Sequence, residues 1–222
     1  MDGKVIVSWS GGKDGCLALH EVLAAGGCEV VSLLTTFTSE YDRSSIHGVR
    51  RVLVERQAES LGLPLEEVFI SKDITDGEYA ETMGEVMERY ASEGVSSVVF
   101  GDIFLGDVRR RREDNLSKAG MRGLFPLWGR DTAEVARAFI AAGFRAVTAC
   151  VDSKFLDSSY AGRQFDGEFL SDLPSTADPC GENGEFHSFA YDGPIFREPV
   201  PYSLGEVVFR ENRFYYCDLL PP

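Results

Sequence analysis

Apolar residues in the first half of the chain come in short blocks, separated by longer stretches of mixed character. Val5-Ile6-Val7-Ser8-Trp9, Val30-Val31-Ser32-Leu33-Leu34, Leu65 to Ile70 and Val98-Val99-Phe100 are the blocks. Their length and β-branched content predict buried strands. Between them, Cys16 to Ala25 has helical composition and stops at Gly26-Gly27, and Val49 to Leu61 closes at Gly62 with Pro64 beyond. A further helix is predicted where Tyr79, Met83, Val86 and Tyr90 recur at steps of three and four. Strand, helix, strand, helix predicts right-handed βαβ units and a mainly parallel sheet. Such sheets bind ligands beyond the carboxyl ends of their strands. The loops after Trp9, Leu34 and Phe100 are therefore where chemistry is expected.

The second half changes character. Arg109 to Gly120 reads as a charged helix and Phe125-Pro126-Leu127-Trp128 as a junction. Thr132 to Ala142 is helical, with Val135 and Phe139 on one side, and Arg145 to Val151 is strand-like. Asp152 to Gly184 is rich in Asp, Ser, Gly and Pro. Val207-Val208-Phe209 and Phe214-Tyr215-Tyr216 around Glu211-Asn212 predict a β-hairpin, without the favoured Asn-Gly turn. A boundary near Gly123 divides the chain into expected domains 1–122 and 123–222. No internal repeat interrupts this plan.

The length of 222 residues suits one domain with additions or two small ones. Basic residues number 22 against 36 acidic, a net charge of −14. That balance repels polyanions and argues against a general nucleic-acid binder, leaving only a local basic patch open. The five cysteines form no C-x-x-C pair, which removes support for zinc knuckles and thioredoxin-type chemistry. Free thiols in a reducing compartment are expected. Met1-Asp2-Gly3-Lys4 leads straight into a strand with no apolar leader, and no apolar run approaches the ~18 residues of a membrane span. The expected setting is cytoplasmic, with no membrane partner; the sequence leaves a homo-oligomer open.

Ser8-Trp9-Ser10-Gly11-Gly12-Lys13-Asp14-Gly15, between a strand and a helix, is the strongest local signal. Two glycines let the backbone approach a bulky anion. Amides at a helix N-terminus, with the positive end of its dipole, hold phosphate oxygens. Ser10 adds a hydroxyl and Lys13 a point charge. The pattern is neither a Walker A loop, since Asp14 follows the lysine, nor a G-x-G-x-x-G. A glycine turn capped by Asp14 is the structural alternative.

Ser10-Gly11-Gly12-Lys13-Asp14 resembles the pyrophosphate-binding loop of the N-type ATP pyrophosphatases, which grip the leaving pyrophosphate and yield AMP. Three further blocks narrow the resemblance to the diphthine–ammonia ligase family. They are Gly101-Asp102-Ile103 with Arg109, Arg111 and Glu113; Pro126-Leu127-Trp128-Gly129-Arg130-Asp131; and Cys180-Gly181-Glu182-Asn183-Gly184-Glu185-Phe186-His187 with Asp192-Gly193-Pro194. Gly15 stands where the family usually has Ser. Val108 and Arg112 stand where its diphthamide enzymes tend to have Gln and Val, as in the bacterial branch.

The resemblance implies an α/β fold: a Rossmann-like parallel sheet of the adenine nucleotide alpha hydrolase (HUP) type, with a smaller α+β C-terminal domain. It implies ATP and Mg2+ as cofactors, ammonia as co-substrate, and a carboxylate acceptor, either diphthine on elongation factor 2 or a bacterial substrate. Nucleotide contacts are expected from Ser10 to Gly15, from Thr35, Thr36 and Phe37 ending the second strand, and from His47, Gly101, Asp102, Arg109 and Arg111. Glu182 and Glu185, with Lys13, are the catalytic candidates, because loop carboxylates bind ammonium or take its proton. Arg109 and Arg112 share a helix face that Arg111 does not. No G-x-S-x-G elbow or H-E-x-x-H site supports hydrolysis. Two other readings stay open: a module that senses ATP or AMP, and a tRNA-modifying relative, which the acidic charge and missing cysteine pair disfavour.

Overall fold

The computed structural model describes residues 3–45 and 47–222; Met1 and Asp2, part of the amino end read above, and Ile46 lie outside the described residues. The chain runs β1 (Gly3–Ser8), α1 (Lys13–Ala25), β2 (Cys28–Thr38), β3 (Arg43–Ser44), α2 (Arg51–Leu61), β4 (Leu65–Ile70), α3 (Asp76–Ser92), β5 (Val95–Val99), α4 (Gly106–Lys118) and β6 (Arg122–Leu124). It continues through α5 (Thr132–Ala141), β7 (Arg145–Asp152), a 3-10 turn at Ser158–Tyr160, α6 (Gly167–Asp172), β8 (Phe186–Asp192), β9 (Ser203–Arg210) and β10 (Phe214–Leu220).

β1 pairs in parallel with β2 and β5, β2 with β4, and β5 with β6. β3 lies antiparallel against Phe37 and Thr38, past the end of β1. The second sheet is antiparallel, in the order β8-β7-β10-β9. This is the expected α/β architecture with a smaller second unit. Val5 and Val7 fall in one apolar cluster and Ile6 in another, as alternation along a strand covered on both faces requires. The first cluster joins Trp9, Leu17 and Leu19 of the first half to Phe139, Phe189 and Leu219 of the second. The two sheets therefore share a core, and the second is pressed against α1.

Three local outcomes differ from the sequence pattern. α3 starts at a capping box, Thr75 with Glu78, but its first turns have nothing to pack on. Tyr79 is 39% exposed, and the buried positions are Met87 and Tyr90. β6 is too short to predict, and it carries the first sheet past Gly123. β8 is the third: it follows the loop-like stretch and lies directly against α1. The predicted hairpin forms. Its turn closes with Arg213 N–H donating to the Arg210 carbonyl at 3.0 Å, and Glu211 and Asn212 take φ of 54° and 53°. Among the described residues, no helix is long and apolar enough to cross a membrane.

Candidate active site

α1 begins at Lys13, so Lys13, Asp14 and Gly15 form its first turn. Its N-cap, Gly12, has extended backbone and no side chain to cap the helix. The Gly12 amide rests on Ser10 Oγ at 3.3 Å, and the Lys13 amide on Ser188 Oγ of β8 at 3.1 Å. Hydroxyls are weak acceptors that an anion displaces. Gly11 has φ of +78°, and a Cβ there would meet Gln57 Oε1 at 2.7 Å. A Cβ on Gly101, just past β5, would lie 2.8 Å from main-chain atoms of Asp14 and Gly15. Gly11 and Gly101 therefore stand where the chain packs tightly against Gln57 and the first turn of α1.

The second sheet completes the loop. Ala190 N–H donates to the Gly11 carbonyl at 2.8 Å. Lys13 is only 3% exposed. Its ammonium holds Asp14 Oδ2 at 2.7 Å and the Cys180 carbonyl, over the rings of Phe165 and Phe186 at 5.4 and 5.3 Å. Burial opposes the Lys13 charge, but Asp14 and Glu182 contribute to a net rise in its pKa. Asp14 is pushed up chiefly by burial, with Asp178 and Asp102 adding to it against Lys13. Glu182 is pushed up by burial, against amide bonds from Ile103 at 2.7 Å and Phe104 at 3.3 Å. One buried cation thus faces carboxylates on several loops. Cys180 is no nucleophile: burial pushes its thiol far above the usual range.

His47 and His187 stand beside the loop, their ring centroids 4.4 Å apart. A Cβ on Gly12 would lie 3.5 Å from His47 Cε1. Burial, then Lys13, lowers the His187 pKa to about 4. Burial, then His187 and Lys13, holds His47 well below its ordinary value. Both rings are neutral at pH 7.

Other expected residues take different places. Thr35 is buried and donates to the Trp9 carbonyl at 2.7 Å, bracing the strand end ahead of the loop. Phe37 is fully buried against Phe69, with its main chain paired to β3 and β4, so it is a core residue rather than a pocket wall. Thr36 keeps partial exposure, and its carbonyl accepts from Ser45 N–H at 3.0 Å. Glu185, expected to face substrate, is 1% exposed. It accepts from Asp178 N–H and from the Asn183 main-chain and side-chain N–H groups at 2.9–3.0 Å. It shapes the loop that presents Glu182. Arg109 turns to Glu113 at 2.8 Å and stacks over Phe125 and Trp128, and Arg111 is exposed. Arg112 takes the forked contact with Asp102, at 2.9 and 3.1 Å.

Sequence reasoning missed Gln57, His187, Ser188, Phe165 and Arg112. His187 and Ser188 sit at the end of the last motif block. Gln57 had a readable signal: a polar residue on the apolar face formed by Leu53, Val54 and Ala58.

A parallel sheet whose first strand feeds a glycine loop and an uncapped helix N-terminus, with a buried lysine beside it, defines a nucleotide-binding α/β protein. Sequence comparison is more specific. The diphthamide synthase N-terminal domain model matches residues 3–123 and the diphthamide synthase C-terminal domain model residues 131–217. The chain belongs to the diphthamide synthase family, as the motif resemblance implied. The diphthine–ammonia ligase of Danio rerio is 28% identical over 234 residues, covering 94% of this chain and 90% of that protein. That of Homo sapiens is 27% identical over 222 residues, covering 90% and 82%. The Schizosaccharomyces pombe ligase is 27% identical and matches 93% of this chain, within 38% of a longer protein.

Proposed function

We propose that the chain is an ATP-dependent ligase that adenylates a carboxylate and aminates it with ammonia. The observation that carries this reading is the amino end of α1, which lacks a side-chain cap from Gly12 and is flanked by the Lys13 ammonium and the Ser188 hydroxyl of the second sheet. A carboxylate is a poor electrophile. Its oxygen attacks the α-phosphorus, the bond to the bridging oxygen breaks, and pyrophosphate leaves. The α1 amides and Lys13 stabilise the charge that develops on the leaving group. Ammonia then attacks the acyl carbon and AMP departs. The nitrogen sheds one proton, and Glu182 is the acceptor, because burial raises the affinity of its carboxylate for protons.

Among the described residues, no group of three or more His, Cys, Asp or Glu could hold a metal. Asp14 and Asp102 are the carboxylates that would hold magnesium entering with ATP, in exchange for their present ion pairs with Lys13 and Arg112. The ion would neutralise phosphate charge. The relatives are diphthine–ammonia ligases, so the proposed acceptor is a diphthine carboxylate, with a bacterial carboxylate as the alternative. Cys16, Cys150, Cys180 and Cys217 are free thiols, in keeping with a reducing cytoplasm.

Product analysis tests the chemistry. ATP, ammonium and a carboxylate acceptor should yield AMP and pyrophosphate; ADP would rule the mechanism out. Lys13→Ala should abolish ATP binding. The alternative, a module that senses ATP or AMP, draws on Gly15, which leaves the loop one hydroxyl short of the family pattern. Tight AMP retention without turnover would favour it.

A further inference from the structure

We propose that His47 and His187 form a proton-taking anion site for the pyrophosphate part of the nucleotide, on the flank of the loop next to Gly12. This rests on the ATP reading above and deepens it. The two rings come from distant parts of the chain, one from the turn between β3 and α2 and the other from the second sheet. His47 precedes α2, and His187 lies on β8 next to Ser188, whose hydroxyl holds the Lys13 amide. Their contact exists only where the second sheet closes on the loop.

A neutral imidazole has one N–H and one lone pair. The ring of His47 is hydrogen-bonded to the Ser188 main chain in a way that favours the charged form, so the ring is the donor there. Its single proton is committed to that bond. Nδ1 is left as a bare lone pair, buried and without a partner. A buried polar atom left unpaired is destabilising. Only two partners can satisfy it: a donor, or an acceptor once the ring gains a proton. The neighbouring charge decides between them. The positive charge of Lys13, paired with Asp14 at 2.7 Å, acts on both rings, and His187 acts on His47. A cation such as ammonium is repelled there, and a phosphate oxygen is attracted.

Burial, followed by the Lys13 charge, lowers the pKa of both rings in the free chain, with His187 adding to the effect on His47. A polyphosphate reverses the local potential. His47 Nδ1 then takes a proton from solvent, and its N–H donates to a phosphate oxygen. At 4.4 Å from each other, the rings accommodate one positive charge and repel a second. His187 stays neutral and packs against the imidazolium.

The chain contains three histidines, so nitrogen NMR of the whole protein labelled with 15N-histidine reads the site directly, with His20 as an internal control. At pH 7, His47 and His187 should be neutral in the free chain. Saturating ATP, and separately inorganic pyrophosphate, should convert one ring of the pair to imidazolium. His47→Gln and His187→Gln assign the signals. In His47→Gln, ATP affinity should fall about tenfold or more and lose its pH dependence between pH 7 and 8.5. ATP or pyrophosphate bound with both rings neutral overturns the inference alone. So does a response of Nδ1 to ammonium chloride without nucleotide, which marks an amine site. A wild-type chain that binds neither ATP nor pyrophosphate overturns the ligase reading as well. The NMR measurement on the wild-type chain needs no variant to fold.

Discussion

Gln57 donates its side-chain amide to the Gly11 carbonyl at 2.9 Å, tying the phosphate loop to α2. The same NH2 group reaches the Ala190 carbonyl of β8 at 2.5 Å, and Oε1 accepts the Trp9 indole N–H at 3.0 Å. One fully buried side chain thus sets the loop between both sheets. Gln57→Leu leaves an indole N–H without its partner and takes a donor from two carbonyls. We expect a loss of about 2–4 kcal/mol in denaturant unfolding, together with weaker ATP binding by calorimetry. Unchanged stability would contradict the assigned network.

Gly15 has room for a side chain. A Cβ there would lie 3.8 Å from the Trp9 ring, an ordinary contact. Gly15→Ser should raise helix stability by roughly 0.5 kcal/mol and tighten ATP binding through the added hydroxyl. A thermal melt and an ATP titration of the variant check both effects. A weaker ATP affinity would show that the loop is tuned to glycine.

Asp218 clasps Arg50 at 2.7 Å and Arg43 at 2.9 Å, joining β10 to the first half of the chain. The Arg50 hydrogen bond, with that of Arg43, holds the carboxyl below its ordinary range, against burial. A lowered folded pKa means the stabilisation is complete above the unfolded value of about 3.9. It is lost as pH falls through the folded value. Asp218→Asn should cost about 1 kcal/mol at pH 7, a modest figure because the pair is partly exposed. The difference from wild type should vanish in strong acid. Urea unfolding at pH 7 and at pH 2–3 measures it.

Glu211 holds φ of 54° in the β9–β10 turn, a region costly for residues with a Cβ and free for glycine. Glu211→Gly should raise the melting temperature, by the equivalent of about 0.5–1 kcal/mol. The same change at Glu206, within β9, should lower it. Equal effects at the two positions would remove the backbone argument.

The alternation of apolar blocks and helical periods was enough to place most strands and helices and to put the loop between β1 and α1. The glycine and lysine spacing marked the loop proposed here to hold phosphate, because backbone approach to an anion demands those residue types locally. Glu185 shows where that logic ends. It lies three residues from Glu182 in the same motif block, yet its carboxylate is consumed by the 178–183 loop. Arg112, not Arg109 or Arg111, meets Asp102, because aromatic rings on neighbouring segments capture Arg109.

The amino-acid sequence by itself determined the parallel sheet and the glycine–lysine loop between β1 and α1. Each of these follows from local propensity or from short-range spacing. Only the tertiary structure decided which side chains surround the loop. Gln57, His187 and Ser188 are far from Gly11, Gly12 and Lys13 along the chain, and no local preference brings them there. Burial of the core shared by the two sheets does so, and it sets the charge of every ionisable group it encloses.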